Sequence, residues 1–209
     1  MTHAHTQGER HLRAVDVRLA AIIDRVGPCM MRFHDDRFGA LVGAILSQQV
    51  SSAAASTIQR RLCALLPTGS PTPEGIAALS TEQLRSAGLS GQKAKYLHAL
   101  AAFVGDGRLD LAALDAMTDD AVAQALVAVP GIGRWTADMF LMFTLARPDV
   151  LPLGDLAVRD AFTCHFGLEK GDFPHKAVAL AEAWRPWRSL ACWYFYRDAD
   201  ARKGRPPVV

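Results

Sequence analysis

The residues best suited to chemistry lie in two short stretches, and the first is a glycine-rich loop. In "LVAVPGIGRWTADMF" (126–140), Pro130, Gly131 and Gly133 stand between two apolar helical segments. Glycine adopts positive φ readily, so such a loop lets two helices fold back at a sharp angle. Its backbone N–H groups, with the N-terminus of the helix from Arg134, can bind a phosphate without a charged side chain. An ordinary glycine-capped connection between helices fits the same few residues.

The second stretch, "LPLGDLAVRDAF" (151–162), presents a lone carboxylate, Asp155. Asp155 directly precedes an apolar helical pattern, where an aspartate caps the first turn of a helix. A capping role does not exclude a chemical one, because the cap would fix the direction of the carboxylate.

Metal chemistry finds little support in the sequence. Cys29, Cys63, Cys164 and Cys192 form no C-x-x-C pair, which argues against zinc and iron–sulfur sites. We expect them to be buried thiols in a reducing compartment. The seven histidines show no metal-ligand spacing.

The overall charge is mildly basic, with a net charge of +2 and a pI near 8.4. This charge permits an anionic partner without requiring one. The N-terminus lacks a signal-peptide pattern and no stretch approaches the ~20 apolar residues of a membrane span, so a cytoplasmic protein with no membrane partner is expected.

Hydrophobic periodicity predicts an all-α fold of about ten helices. Residues 1–9 are predicted to be a loose tail, and residues 10–26 one amphipathic helix that ends at Gly27. Two helices should meet near 47–51, a Ser-x-x-Gln capping box opens a short helix at Ser80, and a threonine followed by acidic residues opens another at Thr118. Further helices are expected in "GQKAKYLHALAAFVGDG" (91–107) and in three segments between Asp155 and a Pro-rich tail.

The longer strings around the two motifs carry a resemblance to a known family. "LVAVPGIGRWTADMFLMF" resembles the hairpin of the helix-hairpin-helix DNA glycosylases, and "LPLGDLAVRDAF" resembles their Gly/Pro-Asp loop. "LVGAILSQQVS", "GLSGQKAKYLHALA" and "WRPWRSLACWYFY" resemble three further stretches of these proteins, in the expected order. The likeness extends from Phe38 to Arg197 and is greatest to the DNA-3-methyladenine glycosylase II family.

The resemblance implies a catalytic role for Asp155. Breaking an N-glycosidic bond builds positive charge on the sugar, which a fixed carboxylate stabilises, and the same group can orient or deprotonate water. Many relatives carry two adjacent acids here, whereas this chain has Gly154 before Asp155. Asp138 and Asp160 are weaker candidates, expected to be solvated helix residues.

Trp135 decides the predicted reaction type. Related glycosylases that also cut the strand carry a lysine nucleophile directly after the position of Arg134, where it forms a Schiff base with the sugar. Trp135 at that place implies a monofunctional, hydrolytic glycosylase that leaves an abasic site. The likeness to the DNA-3-methyladenine glycosylase II family implies that it removes alkylated bases of the 3-methyladenine and 7-methylguanine type.

The resemblance also assigns residues to a pocket for the flipped base. Trp135 and Tyr196 occupy aromatic pocket positions, Met139 replaces a tyrosine common in the family, and Tyr196 replaces a tryptophan. Gln48 and Ser51 would contact the pocket or the opened duplex, although both could equally be polar helix ends. For Trp184, Trp187, Trp193 and Tyr194 a core role is the better prediction.

Contacts with the DNA backbone are expected from the hairpin and its neighbours. The implied set is Gly131, Ile132, Gly133, Arg134, Thr136 and Lys93, with Lys95, Arg188, Arg197, Arg202, Lys203 and Arg205 as further cations that could reach phosphates. The family's wedge position is Gly91 here, so Leu89 or Gln92 could substitute for the wedge. No cofactor is required, and the carbonyls of Val127, Val129 and Ile132 match those that often hold a Na⁺ or K⁺ ion.

The implied architecture has two helical domains with the active-site cleft between them and no N-terminal β domain. Residues 1–37 and 156–209 would form one domain and residues 38–155 the helix-hairpin-helix core. The expected partner is double-stranded DNA with damaged bases, bound by a monomer. Two other functions stay open: a bifunctional glycosylase-lyase, disfavoured by Trp135, and a non-catalytic helix-hairpin-helix module, disfavoured by Asp155.

Overall fold

The computed structural model describes residues 2–204, and within this range the secondary structure is helical. Twelve α-helices lie in the described part of the chain, joined by short 3₁₀ turns and loops without a strand. They are α1 (Thr2–Val15), α2 (Val17–Val26), α3 (Arg37–Ser47), α4 (Ser52–Leu65), α5 (Pro73–Ala78), α6 (Thr81–Ser86), α7 (Gly91–Gly105), α8 (Asp119–Val127), α9 (Arg134–Phe143), α10 (Leu156–Phe166), α11 (His175–Ala181) and α12 (Arg188–Arg202). The predicted all-α fold is confirmed.

The chain divides into two compact units. One contains Met1–Phe33 and Ala146–Val209, and the other contains His34–Leu145. The predicted boundaries are 37/38 and 155/156, whereas the units divide at 33/34 and 145/146. The segment 146–155, which carries Asp155, therefore falls in the first unit rather than with the hairpin. The hairpin and the carboxylate therefore belong to different units.

Two sequence expectations for the N-terminus are wrong. Residues 2–9 belong to a helix rather than a loose tail, and the predicted single helix over 10–26 is broken between α1 and α2. The break is at Asp16, which caps α2 by accepting a hydrogen bond from Arg18 N at 2.9 Å. Trp184 Nε1 donates to the second carboxylate oxygen of Asp16 at 3.2 Å, so a distant side chain holds the break in place.

Contacts with α12 explain why the N-terminal helix is ordered. Buried Gly8 lies so close to Leu190 and Trp187 that a methyl group there would overlap them. Glu9 Oε1 accepts hydrogen bonds from Tyr194 Oη at 2.7 Å and from Cys29 N at 2.8 Å. These partners are far away in sequence, which is why the polar composition of the first residues misled the prediction.

Local sequence signals set most helix starts in the second unit. Side chains of Ser51, Thr72, Ser80, Ser90 and Thr118 each accept a hydrogen bond from a backbone N–H in the first turn of the following helix. The predicted capping box is confirmed, because Gln83 Oε1 accepts from Ser80 N at 2.8 Å while Ser80 Oγ accepts from Gln83 N at 3.2 Å. Such caps satisfy backbone donors that the helix leaves unpaired.

An aromatic cluster and a buried aspartate with several charged partners stabilise the first unit. Trp184 stacks on Phe162 with ring centroids 5.5 Å apart, and Phe195 packs edge-on against both. Asp198 is only 1% exposed and accepts hydrogen bonds from Arg25 and Arg202. Its Oδ2 atom also lies 2.8 Å from His165 Nε2. The predicted core role is confirmed for Trp184, Trp193 and Tyr194, all of which are buried, whereas Trp187 is half-buried.

The remaining predictions concern thiols, metals and membranes. The four cysteines are free, but only Cys192 is fully buried and Cys164 is exposed, so the expectation of buried thiols is wrong for Cys164. Within 2–204, no group of three or more His, Cys, Asp or Glu side chains is arranged to hold a metal ion. Over the same range, each helix is too short or too polar to cross a bilayer.

Candidate active site

The glycine-rich loop forms a tight hairpin between α8 and α9. Val129 N donates to Leu126 O, and Ile132 N donates to Val129 O, both at 3.1 Å, so two successive turns reverse the chain. Gly131 has φ = +92°, a backbone conformation that residues with a Cβ atom rarely adopt. The predicted reversal of two helices at this loop is therefore present.

Gly131 is also required for packing. A Cβ atom built at this position would overlap the ring of Tyr96, a residue of α7. The aromatic ring thus lies directly against the hairpin backbone. Sequence reasoning did not single out Tyr96, and no local pattern marks it, because the contact joins elements that are distant in sequence.

Two polar side chains make hydrogen bonds at the end of α3, one to the hairpin and one from α7. Gln48 Nε2 donates to Gly131 O at 2.8 Å, and Lys93 Nζ donates to Leu46 O at 2.6 Å. Burial lowers the pKa of Lys93. The structure therefore places Gln48 against the hairpin backbone and Lys93 on a main-chain carbonyl of α3, whereas the sequence assigned Gln48 to the base pocket and Lys93 to a phosphate.

The amino end of α9 is open to a ligand. Gly133 occupies the N-cap position, and no described side chain caps the helix there. A Cβ at Gly133 would have no described heavy atom within 4 Å. The N-terminus of a helix carries a partial positive charge and unpaired N–H groups, which suits an anion. Of the predicted backbone contacts, Ile132 and Thr136 have buried side chains, which leaves only their main-chain atoms for a contact, and the N–H of Ile132 already donates to Val129 O.

The first turns of α9 combine a cation, an aromatic ring and a buried acid. Trp135 is 49% exposed, and Met139 follows one turn later on the same helix face. Arg134 Nε donates to Asp138 Oδ1 at 2.8 Å. Burial raises the pKa of Asp138, and the hydrogen bond from Arg134 opposes that rise. Asp138 is 3% exposed, so the expectation that it is solvated is wrong.

Asp155 is fixed at the start of α10. A turn closed by a hydrogen bond from Asp155 N to Pro152 O, at 3.0 Å, leads into the helix. Asp155 Oδ1 accepts from Ala157 N at 2.8 Å and from Val158 N at 3.1 Å, so the predicted capping role is confirmed. The side chain is 7% exposed. Asp160, on the same helix, is exposed as expected.

The other predicted site residues have mixed surroundings. Tyr196 is half-buried on α12, in the same unit as Asp155, while Ser51 caps α4 by accepting from Ala54 N at 3.3 Å. Of the wedge candidates, Leu89 is 4% exposed and belongs to the core of its unit, which disfavours insertion into a duplex. Gly91 and Gln92 are exposed at the start of α7.

Several predicted phosphate-binding cations already serve other carboxylates. Arg188 pairs with Asp149, Arg197 with Asp200 and Arg202 with Asp198. Lys95 and Lys203 are exposed, and Arg205 lies outside the described residues. Arg134 also pairs with a carboxylate, that of Asp138, but its side chain is 66% exposed and lies next to the open end of α9. It is therefore the cation best placed beside the hairpin.

A comparison with known families accounts for this combination of hairpin and aspartate. Residues 42–189 match the description HhH-GPD superfamily base excision DNA repair protein. The chain belongs to this superfamily. The matched segment includes both the hairpin and the loop of Asp155, so the predicted family is confirmed, and with it the HhH-GPD fold.

Individual members of the HhH-GPD superfamily resemble the chain over most of its length. DNA-3-methyladenine glycosylase 1 of Schizosaccharomyces pombe is 30% identical over 97% of this chain and 91% of that protein. The crystal structure of DNA-3-methyladenine glycosidase from Bacillus halodurans superposes with a TM-score of 0.85 and 34% identity, covering 94% of this chain and 91% of that one. The S. pombe 3-methyladenine DNA glycosylase Mag1, in complex with abasic DNA, gives a TM-score of 0.78 and 29% identity, covering 91% and 95%.

Proposed function

We propose that this protein is a monofunctional DNA glycosylase that hydrolyses the N-glycosidic bond of alkylated bases in double-stranded DNA. The observation that carries the proposal is a buried, doubly hydrogen-bonded Asp155 in the Gly-Asp loop, combined with Trp135 directly after the hairpin. The names of the 3-methyladenine glycosylases that it resembles support the choice of alkylated purines as substrates.

Asp155 stabilises the transition state in this mechanism. As the glycosidic bond lengthens, positive charge develops on the sugar, and a carboxylate held in a fixed direction lowers the energy of that state. The two N–H donors of α10 hold Asp155 Oδ1 in place, so no side-chain rearrangement is needed as the reaction proceeds. The same carboxylate can orient or deprotonate the attacking water.

Trp135 supplies an aromatic face for the extruded base. A base alkylated at a ring nitrogen carries positive charge, so it gains about 0.5–2 kcal/mol of cation–π attraction over a neutral base. Its positive charge also makes it a better leaving group. Because a tryptophan cannot form a Schiff base, the reaction ends with an abasic site and an intact strand.

The hairpin positions the duplex through its backbone. The N–H groups around Gly133, with the α9 dipole, bind one phosphate, and Arg134 adds a charge-assisted contact. The carbonyls of Val127, Val129 and Ile132 would hold a Na⁺ or K⁺ ion. The turn fits such an ion chemically, since neutral carbonyls suit a monovalent cation and Val129 O keeps a lone pair beyond the bond from Ile132 N. When bound, the ion would add positive charge beside the phosphate.

The decisive experiment is a base-release assay with a matched pair of variants. Duplexes containing 3-methyladenine, 7-methylguanine, 1-methyladenine, ethenoadenine, hypoxanthine or uracil are compared for wild type, Asp155→Asn and Asp160→Asn. Asparagine still caps a helix, so Asp155→Asn should fold normally yet lose about 10²–10³-fold in rate. Asp160→Asn, an exposed change on the same helix, should excise normally.

Three results would contradict the proposal. Near-normal excision by folded Asp155→Asn would remove Asp155 from its role, and DNA binding without release of any base would indicate a binding module. A borohydride-trapped covalent complex would indicate a lyase. We also propose that the protein acts as a monomer, which light scattering in the presence of duplex would test.

A further inference from the structure

The segment 147–150, which leads into the turn of Asp155, is attached to the first residues of α12. Ser189 N donates to Pro148 O at 3.0 Å, and Ser189 Oγ donates to Arg147 O at 2.6 Å. The same hydroxyl accepts from Val150 N at 2.9 Å. Ser189 is only 3% exposed, so these three bonds are shielded from water. A single serine thus fixes the backbone of the segment at both of its ends.

A neighbouring ion pair reinforces the attachment. Arg188 Nε donates to Asp149 Oδ1 at 2.6 Å, and its second nitrogen donates to Asp149 Oδ2 and to Asp149 O, both at 2.9 Å. Arg185 adds a further bond to Asp149 Oδ2 at 2.9 Å. The Arg188 side chain is 12% exposed, in contrast to the exposed cation that a phosphate contact requires. A guanidinium is suited to this two-pronged arrangement, which restricts both the carboxylate and the backbone.

A short path of hydrogen-bonded turns leads from this attachment to the Asp155 carboxylate. Leu153 N donates to Leu151 O at 2.9 Å, and Asp155 N donates to Pro152 O at 3.0 Å, so consecutive turns connect Val150 with Asp155. Beyond the turns, Asp155 caps α10 through its own side chain. Asp155 is therefore held from the helix on one side and from the start of α12 on the other.

We propose that Arg188 and Ser189 are positioning residues that set the location of the Asp155 carboxylate through the segment 147–150. The inference rests on the proposed catalytic role of Asp155. Enzymatic rates depend steeply on placement, and a displacement of about 1 Å can cost about 100-fold in rate. Loss of the attachment should therefore slow the chemical step while leaving the hairpin, in the other unit, able to bind DNA.

The test measures the rate of the chemical step separately from the affinity for DNA. Ser189→Ala and Arg188→Gln are compared with wild type in single-turnover base release, with enzyme in saturating excess over a 7-methylguanine duplex. The dissociation constant is measured on a duplex with a tetrahydrofuran abasic site. We expect the saturated rate to fall about 10- to 100-fold and the dissociation constant to change by less than about threefold, because the backbone contacts are unaltered.

Arg25→Gln is the matched control. It removes a different ion pair in the same unit, that with buried Asp198, so it lowers stability without touching segment 147–150. Its saturated rate should equal that of wild type. If Ser189→Ala unfolds, Arg188→Lys provides the same test, since lysine keeps the charge but cannot bridge both carboxylate oxygens and the carbonyl.

Two outcomes would overturn the inference. One is a wild-type saturated rate in the folded variants. The other is a loss in Ser189→Ala that multiplies fully with that of Asp155→Asn, since residues acting through one group are non-additive. Failure of the proposed function looks different, because Asp155→Asn alone would then excise bases normally.

Discussion

The hairpin glycine at position 131 allows a quantitative prediction. Gly131→Ala forces an alanine into φ = +92°, which costs about 1–2 kcal/mol for a residue with a Cβ. The added methyl also overlaps the Tyr96 ring, and overpacking of this kind costs about 1–3 kcal/mol. The expected loss in free energy of unfolding is therefore about 2–5 kcal/mol.

Gly133→Ala is the natural comparison, since it makes the same chemical change two residues away. Gly133 has φ = −96°, and a Cβ there meets no described atom within 4 Å. Only the weaker N-cap preference of alanine opposes it, at about 0.5–1 kcal/mol. Because the methyl stands at the open end of α9, Gly133→Ala should nevertheless weaken binding to abasic-site duplex.

Urea unfolding followed by hydrogen exchange of residues 119–143 measures the difference. With a slope of about 2 kcal/mol per molar urea, Gly131→Ala should lower the midpoint for the hairpin unit by about 1–2.5 M. Adding Tyr96→Ala to Gly131→Ala should remove the overlap penalty and leave the backbone penalty, so the loss relative to Tyr96→Ala alone should shrink. Equal midpoints for Gly131→Ala and Gly133→Ala would refute the reasoning.

Further predictions concern charge, stacking and the support of the hairpin. Burial would raise the pKa of Asp198, but hydrogen bonds from Arg25 and His165 outweigh it and hold the pKa below its ordinary value. Ionised Asp198 therefore stabilises the fold at neutral pH, and Asp198→Asn should lower the free energy of unfolding by about 1–3 kcal/mol. This difference from wild type should shrink when unfolding is measured at pH values below about 4, where Asp198 becomes protonated. A difference that stays constant with pH would contradict the prediction. Trp135→Ala should fold normally and lose about 2- to 30-fold in excision of a cationic base relative to hypoxanthine in competition assays; equal losses on both bases would argue against cation–π selection. Gln48→Ala should weaken binding to abasic-site duplex severalfold by releasing Gly131 O, with unchanged affinity showing that the bond is dispensable. Raising salt should weaken duplex binding along a linear log–log slope in titrations, and a flat response would exclude phosphate contacts.

Local signals explain the part of the fold that was predicted correctly. The start of α8 at Thr118 and the capping box at Ser80 depend on residues within one turn of each other. The break at Asp16 was missed because its stabilising partner, Trp184, lies 168 residues away. Apolar periodicity continues across the break and gives no sign of it.

The same distinction applies to the site. The sequence by itself determined the superfamily, the hairpin, the capping aspartate and the tryptophan in place of a lysine, because each is a matter of residue type within a short motif. Only the tertiary structure decided that Gln48 supports Gly131, 83 residues away, and that Arg188 pairs with Asp149, 39 residues away. Periodicity indicates which face of a helix is buried, but the partner of a polar side chain depends on which elements pack together.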